Sequence, residues 1–71
     1  MSMKKKDLEA ADDYISAKIP EHYVVDDEQE VSDTEIIYFT FNERTQKNVA
    51  FHLTVKNGKV EKVKRVVGDV F

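Results

Sequence analysis

This 71-residue sequence contains no cysteine, only two glycines and only one proline. Without cysteine the chain has no disulfide scaffold, no thiolate metal site and no cysteine nucleophile. This absence is typical of proteins from a reducing compartment, so we expect a cytoplasmic protein. Two glycines also cannot supply the glycine-rich loops that bind phosphate groups.

Long hydrophobic runs are missing as well. No apolar segment approaches the length that crosses a bilayer. The basic residues 4–6 are followed by Asp7-Leu8-Glu9, not by the apolar segment of a secretion signal. We therefore expect no membrane association. The length predicts a single domain over residues 1–71 with a small core, and residues 1–4 are predicted to be disordered.

The net charge of −3 conceals an uneven distribution. Residues 7–35 hold eleven acids and one lysine, whereas residues 36–71 hold seven bases and three acids. The simplest interpretation is that each half solubilises its own surface. The functional interpretation is that the field of each half helps to select a partner.

An amphipathic helix is predicted over residues 4–19. Leu8, Ala11, Ile15 and Ile19 recur at helical spacing and form one apolar stripe. The helix is predicted to end before Pro20, because proline lacks an amide hydrogen and disfavours helical geometry in the residue before it.

Four strands are predicted after the helix, at about residues 22–26, 34–42, 48–56 and 59–67, with a polar loop over 27–33. The middle strands alternate apolar and polar side chains. Asn57-Gly58 predicts a two-residue hairpin turn, because a type I′ turn needs positive φ at both positions. The predicted fold class is α+β: one N-terminal helix packed on a curled antiparallel β-meander of three or four strands.

Pairing Phe39 with Phe51 and Ile37 with Leu53 would place the large apolar residues on one face and a loop within Glu43–Lys47. The helix is predicted to cover this face. The residues of this predicted core face are Ile37, Phe39, Phe41, Val49, Phe51, Leu53, Val55, Val60 and Val63.

Strict pairing outward from the Asn57-Gly58 turn would place Leu53 opposite Lys62, which leaves Leu53 without an apolar partner. One extra residue near Glu61-Lys62 would bring Val63 opposite Leu53, which predicts a β-bulge there. Phe39 is predicted to contribute more to stability than Tyr38, which would face away from the helix.

Candidate groups for chemistry are few. His22 and His52 lie on different predicted strands without the spacing of metal ligands. No apolar segment encloses the acids between Asp26 and Glu30 in the dry cleft that general acid–base catalysis needs. We expect no catalytic residue, no metal and no cofactor, and therefore not an enzyme.

The order of elements resembles the cystatin-like fold over roughly residues 5–67. The segment Gln29-Glu30-Val31-Ser32-Asp33 stands where cystatins carry their first inhibitory loop, Gln-x-Val-x-Gly, and residues 34–39 resemble the strand that follows it. Asp33 replaces the family's glycine, and Asn57-Gly58 replaces its Pro-Trp loop. The hairpin end Asn-Gly-Lys-Val is also similar to PepSY-type modules. The resemblance implies protein binding, with inhibition of cysteine proteases as a candidate activity.

The predicted function is a small protein-binding module, an inhibitor or accessory protein that docks through loops or through the uncovered sheet face. The acidic loop favours a partner with a basic surface. The predicted contact residues are Asp26, Asp27, Glu28, Gln29, Glu30, Val31, Asn57 and Gly58. The alternative site is the sheet face opposite the helix, which a partner or a second copy would partly cover; its residues are Ile36, Tyr38, Thr40, Ala50 and His52. A homodimer through the sheet edges is a further option.

A nucleic-acid-associated protein is the second hypothesis. The last hairpin carries Lys56, Lys59, Lys62, Lys64 and Arg65, which suit phosphate contacts, and the acidic segment suits a DNA mimic. Because the acidic segment would repel a phosphate backbone, we expect a protein partner instead.

Overall fold

The computed structural model describes residues 3–68, which form one helix followed by four strands. Each strand is antiparallel to the next, and their order across the sheet is their order along the chain. The predicted α+β arrangement is confirmed. The elements are α1 Lys5–Lys18, β1 Tyr23–Glu30, β2 Glu35–Asn42, β3 Lys47–Lys56 and β4 Lys59–Gly68.

Helix α1 turns the predicted apolar stripe toward the sheet, where it contacts β3 and β4. Ala11 and Ile15 are buried, and Leu8 and Ile19 pack at the margin of the core. The chain leaves helical geometry at Ile19, directly before the proline, as expected. The described part of the chain contains no helix with the length and apolar character needed to cross a membrane.

The N-terminal residues that the structure describes belong to the folded domain. Met3 is buried, and its amide donates a hydrogen bond of 2.8 Å to Oε1 of Glu30. The carbonyl of Lys4 accepts the amides of Asp7 and Leu8 at 3.0 Å. The prediction that residues 1–4 are disordered is therefore wrong for residues 3 and 4, while residues 1 and 2 lie outside the described residues.

Strand β1 contains most of the segment predicted as a loop. Residues 27–30 pair with β2, so the connection between the two strands is only Val31–Thr34. Because β1 is an edge strand, its polar side chains reach water from both faces, and an acidic sequence does not prevent pairing. Asp26 bulges out of the ladder between Val25 and Asp27.

The register between β2 and β3 differs by one residue from the prediction. Tyr38, not Phe39, lies opposite Phe51. Because successive side chains in a strand point to opposite faces, this shift turns the whole of β2 over. Ile36, Tyr38 and Thr40 are buried beneath the helix, and the predicted core residues Ile37, Phe39 and Phe41 are half-buried on the other face.

The turn between β2 and β3 explains this register. The side-chain oxygen of Asn42 accepts hydrogen bonds from the amides of Arg44 and Thr45, at 3.0 and 3.3 Å. The amide of Gln46, whose φ is 59°, donates to the carbonyl of Asn42 at 2.7 Å. The result is a closed four-residue connection that fixes Asn42 opposite Lys47.

The hairpin of β3 and β4 confirms its predicted features. Asn57 and Gly58 take φ values of 54° and 74°, as a type I′ turn requires. Val55 pairs with Val60 but Leu53 pairs with Val63, so Glu61 is the extra residue of the predicted bulge.

The core between helix and sheet keeps most of the predicted members from β3. Val49, Leu53 and Val55 are buried, and Phe51 and Val60 pack against the core at partial burial. Val63 was expected in the core, but its side chain remains 38% exposed. The buried core cluster consists of Met3, Ala11, Ile15, Ile36, Tyr38, Leu53 and Val55.

Two polar contacts join the helix to the sheet. The Asp7 side chain is buried, and its Oδ1 accepts the amide of Gly58 at 2.7 Å. The hydroxyl of Tyr38 donates to Oδ1 of Asp12 at 3.3 Å. Both contacts satisfy groups that would otherwise destabilise the fold by about 1–3 kcal/mol each.

We expect Tyr38→Ala to destabilise the domain by about 3–5 kcal/mol, the range for removing a buried aromatic ring. Phe39→Ala should cost less, because this ring is half-buried on the face without a helix. Urea unfolding followed by circular dichroism measures both. A larger loss for Phe39→Ala than for Tyr38→Ala would contradict the register described above.

Candidate functional site

The acidic residues predicted to form a binding loop lie along the edge strand β1 instead. Asp27 and Gln29 point away from the helix, whereas Glu28 and Glu30 lie on the helix side, opposite Tyr38 and Ile36. Asp26 occupies the bulge. The structure therefore corrects their placement: these residues form an extended acidic edge, not a projecting loop.

The remaining predicted contact residues lie at one end of the sheet. Val31, in the β1–β2 connection, and the Asn57-Gly58 turn are at the same end of the sheet. The cleft between the two connections is about 320 Å³ and is lined by charges of both signs, including Lys4, Asp33 and Lys56. This mixture gives the cleft no clear preference for a ligand.

The sheet face opposite the helix carries an apolar surface that no element among residues 3–68 covers. We call it the open face. Val24 and Val66 are 42% and 43% exposed there, and Ala50 is buried between its larger neighbours. The apolar residues of the open face are Val24, Ile37, Phe39, Phe41, Ala50 and Val66.

The open face differs in part from the predicted alternative site. Ala50 and His52 point away from the helix, as predicted, but Ile36, Tyr38 and Thr40 are buried beneath it. The one-residue register shift replaces these three residues with Ile37, Phe39 and Phe41. The surface is consequently more apolar and more aromatic than the sequence suggested.

Charges of opposite sign flank the open face. On the side of β1, a groove of about 380 Å³ is lined by Asp26 and Asp27. On the side of β4, a groove of about 230 Å³ is lined by Lys62, Lys64 and His52, together with one acid, Glu35. An apolar centre between an acidic and a basic edge suits association with another macromolecule.

His52 and Glu35 lie together within the groove on the side of β4. The Nε2 atom of His52 is shielded from solvent and lies 3.6 Å from Oε2 of Glu35, with no hydrogen-bond partner among the described residues. Oε1 of Glu35 is held by the Ser32 hydroxyl, which donates at 3.4 Å. Within residues 3–68, no group of three or more histidine, aspartate or glutamate side chains is arranged to hold a metal ion.

The Tyr38 hydroxyl is held in its protonated form. Burial raises the pKa of Tyr38 well above its ordinary value, and the negative charges of Asp12 and Glu28 act in the same direction. The hydrogen bond to Asp12 adds to this effect. A tyrosine in this state supports the structure and is poorly suited to accept a proton.

Comparison with protein families, curated proteins and solved structures found no match to this chain. The resemblance to the cystatin-like fold stays a prediction. Of the residues that carry it, Gln29 and Glu30 end β1 and residues 31–33 form part of the connection to β2.

The buried Tyr38 hydroxyl predicts a specific dependence of stability on pH. The native state retains this proton above pH 10, whereas the unfolded chain releases it near pH 10. The stability that this proton contributes is therefore fully present below pH 10. It is lost as the pH rises further, by at most about 1.4 kcal/mol per pH unit.

Tyr38→Phe removes this proton and should flatten the loss of stability between about pH 10 and pH 11. Urea unfolding of both proteins from pH 8 to 11 measures the difference and cancels the contribution of lysines common to both. If the free energy of unfolding changed with pH in the same way for wild type and variant, a raised pKa at Tyr38 would be contradicted.

Proposed function

We propose that this chain is a small, non-catalytic, cytoplasmic module that binds another protein through the open face. The observation that carries the proposal is the apolar centre of that face, including Ile37, Phe41 and Val66, which residues 3–68 leave without a covering layer. A sheet with two apolar faces normally packs a layer on each. Here the helix supplies one layer, and a partner supplies the second.

The size of the open face is adequate for this role. Four strands about 4.8 Å apart and eight residues rising about 3.3 Å each cover about 500 Å². A contact of this size on each partner falls at the small end of specific interfaces, which suits a reversible association. Aromatic side chains such as Phe41 are the residues that contribute most to such interfaces.

The distribution of charge supports a protein partner over a nucleic acid. Lys62 and Lys64 offer phosphate contacts on one edge, but Asp26 and Asp27 line the opposite edge of the same sheet. A nucleic-acid duplex lying across the open face would meet both edges, and the acidic edge would repel its phosphates. A protein surface with charges of both signs has no such conflict.

A non-catalytic role is supported by the exposure of the acidic groups. Asp26, Asp27, Glu28 and Glu30 are all exposed to solvent along β1. General acid or base catalysis by a carboxylate depends on a dry enclosure that shifts its pKa. The grooves beside the open face are shallow and lie open to water, so binding is the activity that this surface suits.

Photo-crosslinking in the native host tests the proposal. Benzoyl-phenylalanine in place of Phe41, on the open face, should give covalent adducts with protein. The same group in place of Ala17, an exposed helix residue, is the matched control and should give few adducts. Adducts that disappear on nuclease treatment, or equal yields from both positions, would refute protein binding through the open face.

A further inference from the structure

We infer that the partner of the open face is a second copy of this chain, packed face to face in a closed dimer. This inference rests on the proposed binding role of the open face. The twofold axis lies parallel to the strands and passes between β2 and β3 of both copies. Three features of the sheet lead to this arrangement: the charge of its edges, the sizes of its outward side chains and its area.

The two edge strands have opposite charge. Strand β1 holds four acids and no base, and β4 holds four bases and one acid. On the open face itself, Asp27 lies at the β1 edge, and Lys62 and Lys64 lie at the β4 edge. The sheet is therefore polarised from one edge to the other.

This polarity selects one symmetry. Rotation about an axis parallel to the strands places β1 of each copy over β4 of the other, so acids face bases at both edges. Rotation about an axis across the strands would place β1 over β1 and β4 over β4, which brings like charges together. Self-association in the first arrangement is favoured by both edges at once, as expected of a self-complementary surface.

The sizes of the outward side chains agree with the same axis. Strand β2 presents large apolar groups, including Ile37 and Phe41, whereas β3 presents Asn48, Ala50, His52 and Thr54, of which only His52 is large. The axis between β2 and β3 lays β2 of each copy over β3 of the other. Phe39 and Phe41 then meet the smaller Ala50 and Asn48, and Ile37 meets His52. Large side chains over small ones in two of these three rows let two sheets interdigitate about 10 Å apart.

The area predicts a dimer that dissociates on dilution. Two open faces together bury about 1,000 Å², close to the lower limit for a specific interface. We therefore expect sedimentation velocity to show a shift from the 8.2 kDa monomer to a species of twice that mass over about a hundredfold range of concentration. Added salt should weaken the dimer, because it screens the charged edges.

Adjacent valines on β4 provide a matched pair of variants. Val66 is on the open face and Val67 is on the helix side, and they are 43% and 52% exposed. Val66→Asp should raise the dissociation constant of the dimer by at least about tenfold, because it buries a charge in the interface. Val67→Asp should leave it unchanged. Circular dichroism checks that both variants remain folded.

A charge exchange tests the symmetry itself. Asp27 lies in the same row of the sheet as Val66, so it is offset from Lys64 by two residues along the strand direction. This offset is about 7 Å, a distance that a lysine side chain spans. Asp27→Lys and Lys64→Asp should each weaken self-association, since each places like charges at both edges. An equimolar mixture of the two variants should restore dimers, because the heterodimer has opposite charges at both. Glu9→Lys, on the exposed side of the helix, is the control and should have no effect.

The outcomes distinguish a wrong identity of the partner from a wrong assignment of binding to the open face. A protein that stays monomeric at every concentration, an equal effect of Val66→Asp and Val67→Asp, or no recovery in the charge-exchange mixture would overturn the dimer. If Phe41 still forms adducts with a protein of different mass in cells, the proposed binding role stands with another partner. If Phe41 forms no protein adduct at all, the binding role itself fails.

Discussion

The hydrogen bonds that Asn42 accepts from the Arg44 and Thr45 amides decide which surface this protein presents. They close a four-residue turn, and the length of that turn sets the register of β2 against β3. In this register Tyr38 lies beneath the helix and Phe41 lies on the open face. One residue more or fewer in the turn would bury the phenylalanines and expose the polar side chains. A local interaction in a surface turn thus determines the composition of both faces of the sheet.

The consequence is an unusual division of polar and apolar residues. Thr40 and Asn42 occupy buried positions on the helix side, where the Thr40 hydroxyl donates to the carbonyl of Val49 at 2.6 Å. Ile37 and Phe41, which would give more free energy on burial, lie half-exposed on the opposite face. Folding stability alone would favour the reverse arrangement. Buried polar groups and exposed apolar groups are the informative deviations in a small domain, and here they occur together on one strand.

Much of the fold could be predicted from local patterns. The helical stripe from Leu8 to Ile19, the Asn57-Gly58 turn and the bulge at Glu61 each depend on residues close in sequence. Strand β2 could not be oriented this way, because Ile36-Ile37-Tyr38-Phe39 is apolar at both alternating positions, so either face fits the core. The signal that decides it is Asn42, whose side chain closes a turn of defined length. The acidic strand β1 escaped prediction because an edge strand needs no apolar face to pair with its neighbour.

The two bulges, at Asp26 in β1 and at Glu61 in β4, lie on the two edge strands of the sheet. Without them, these edges would be a hazard: an acidic strand and a basic strand, each with unpaired backbone groups, would attract one another head to tail. Such a head-to-tail contact forms an open row wherever its rotation does not close a ring, so copies would lengthen one continuous sheet into a fibre. A residue displaced from each ladder breaks the match between successive copies. The opposite charges of the two edges would therefore favour polymerisation through the edge strands, and the two displaced residues oppose it.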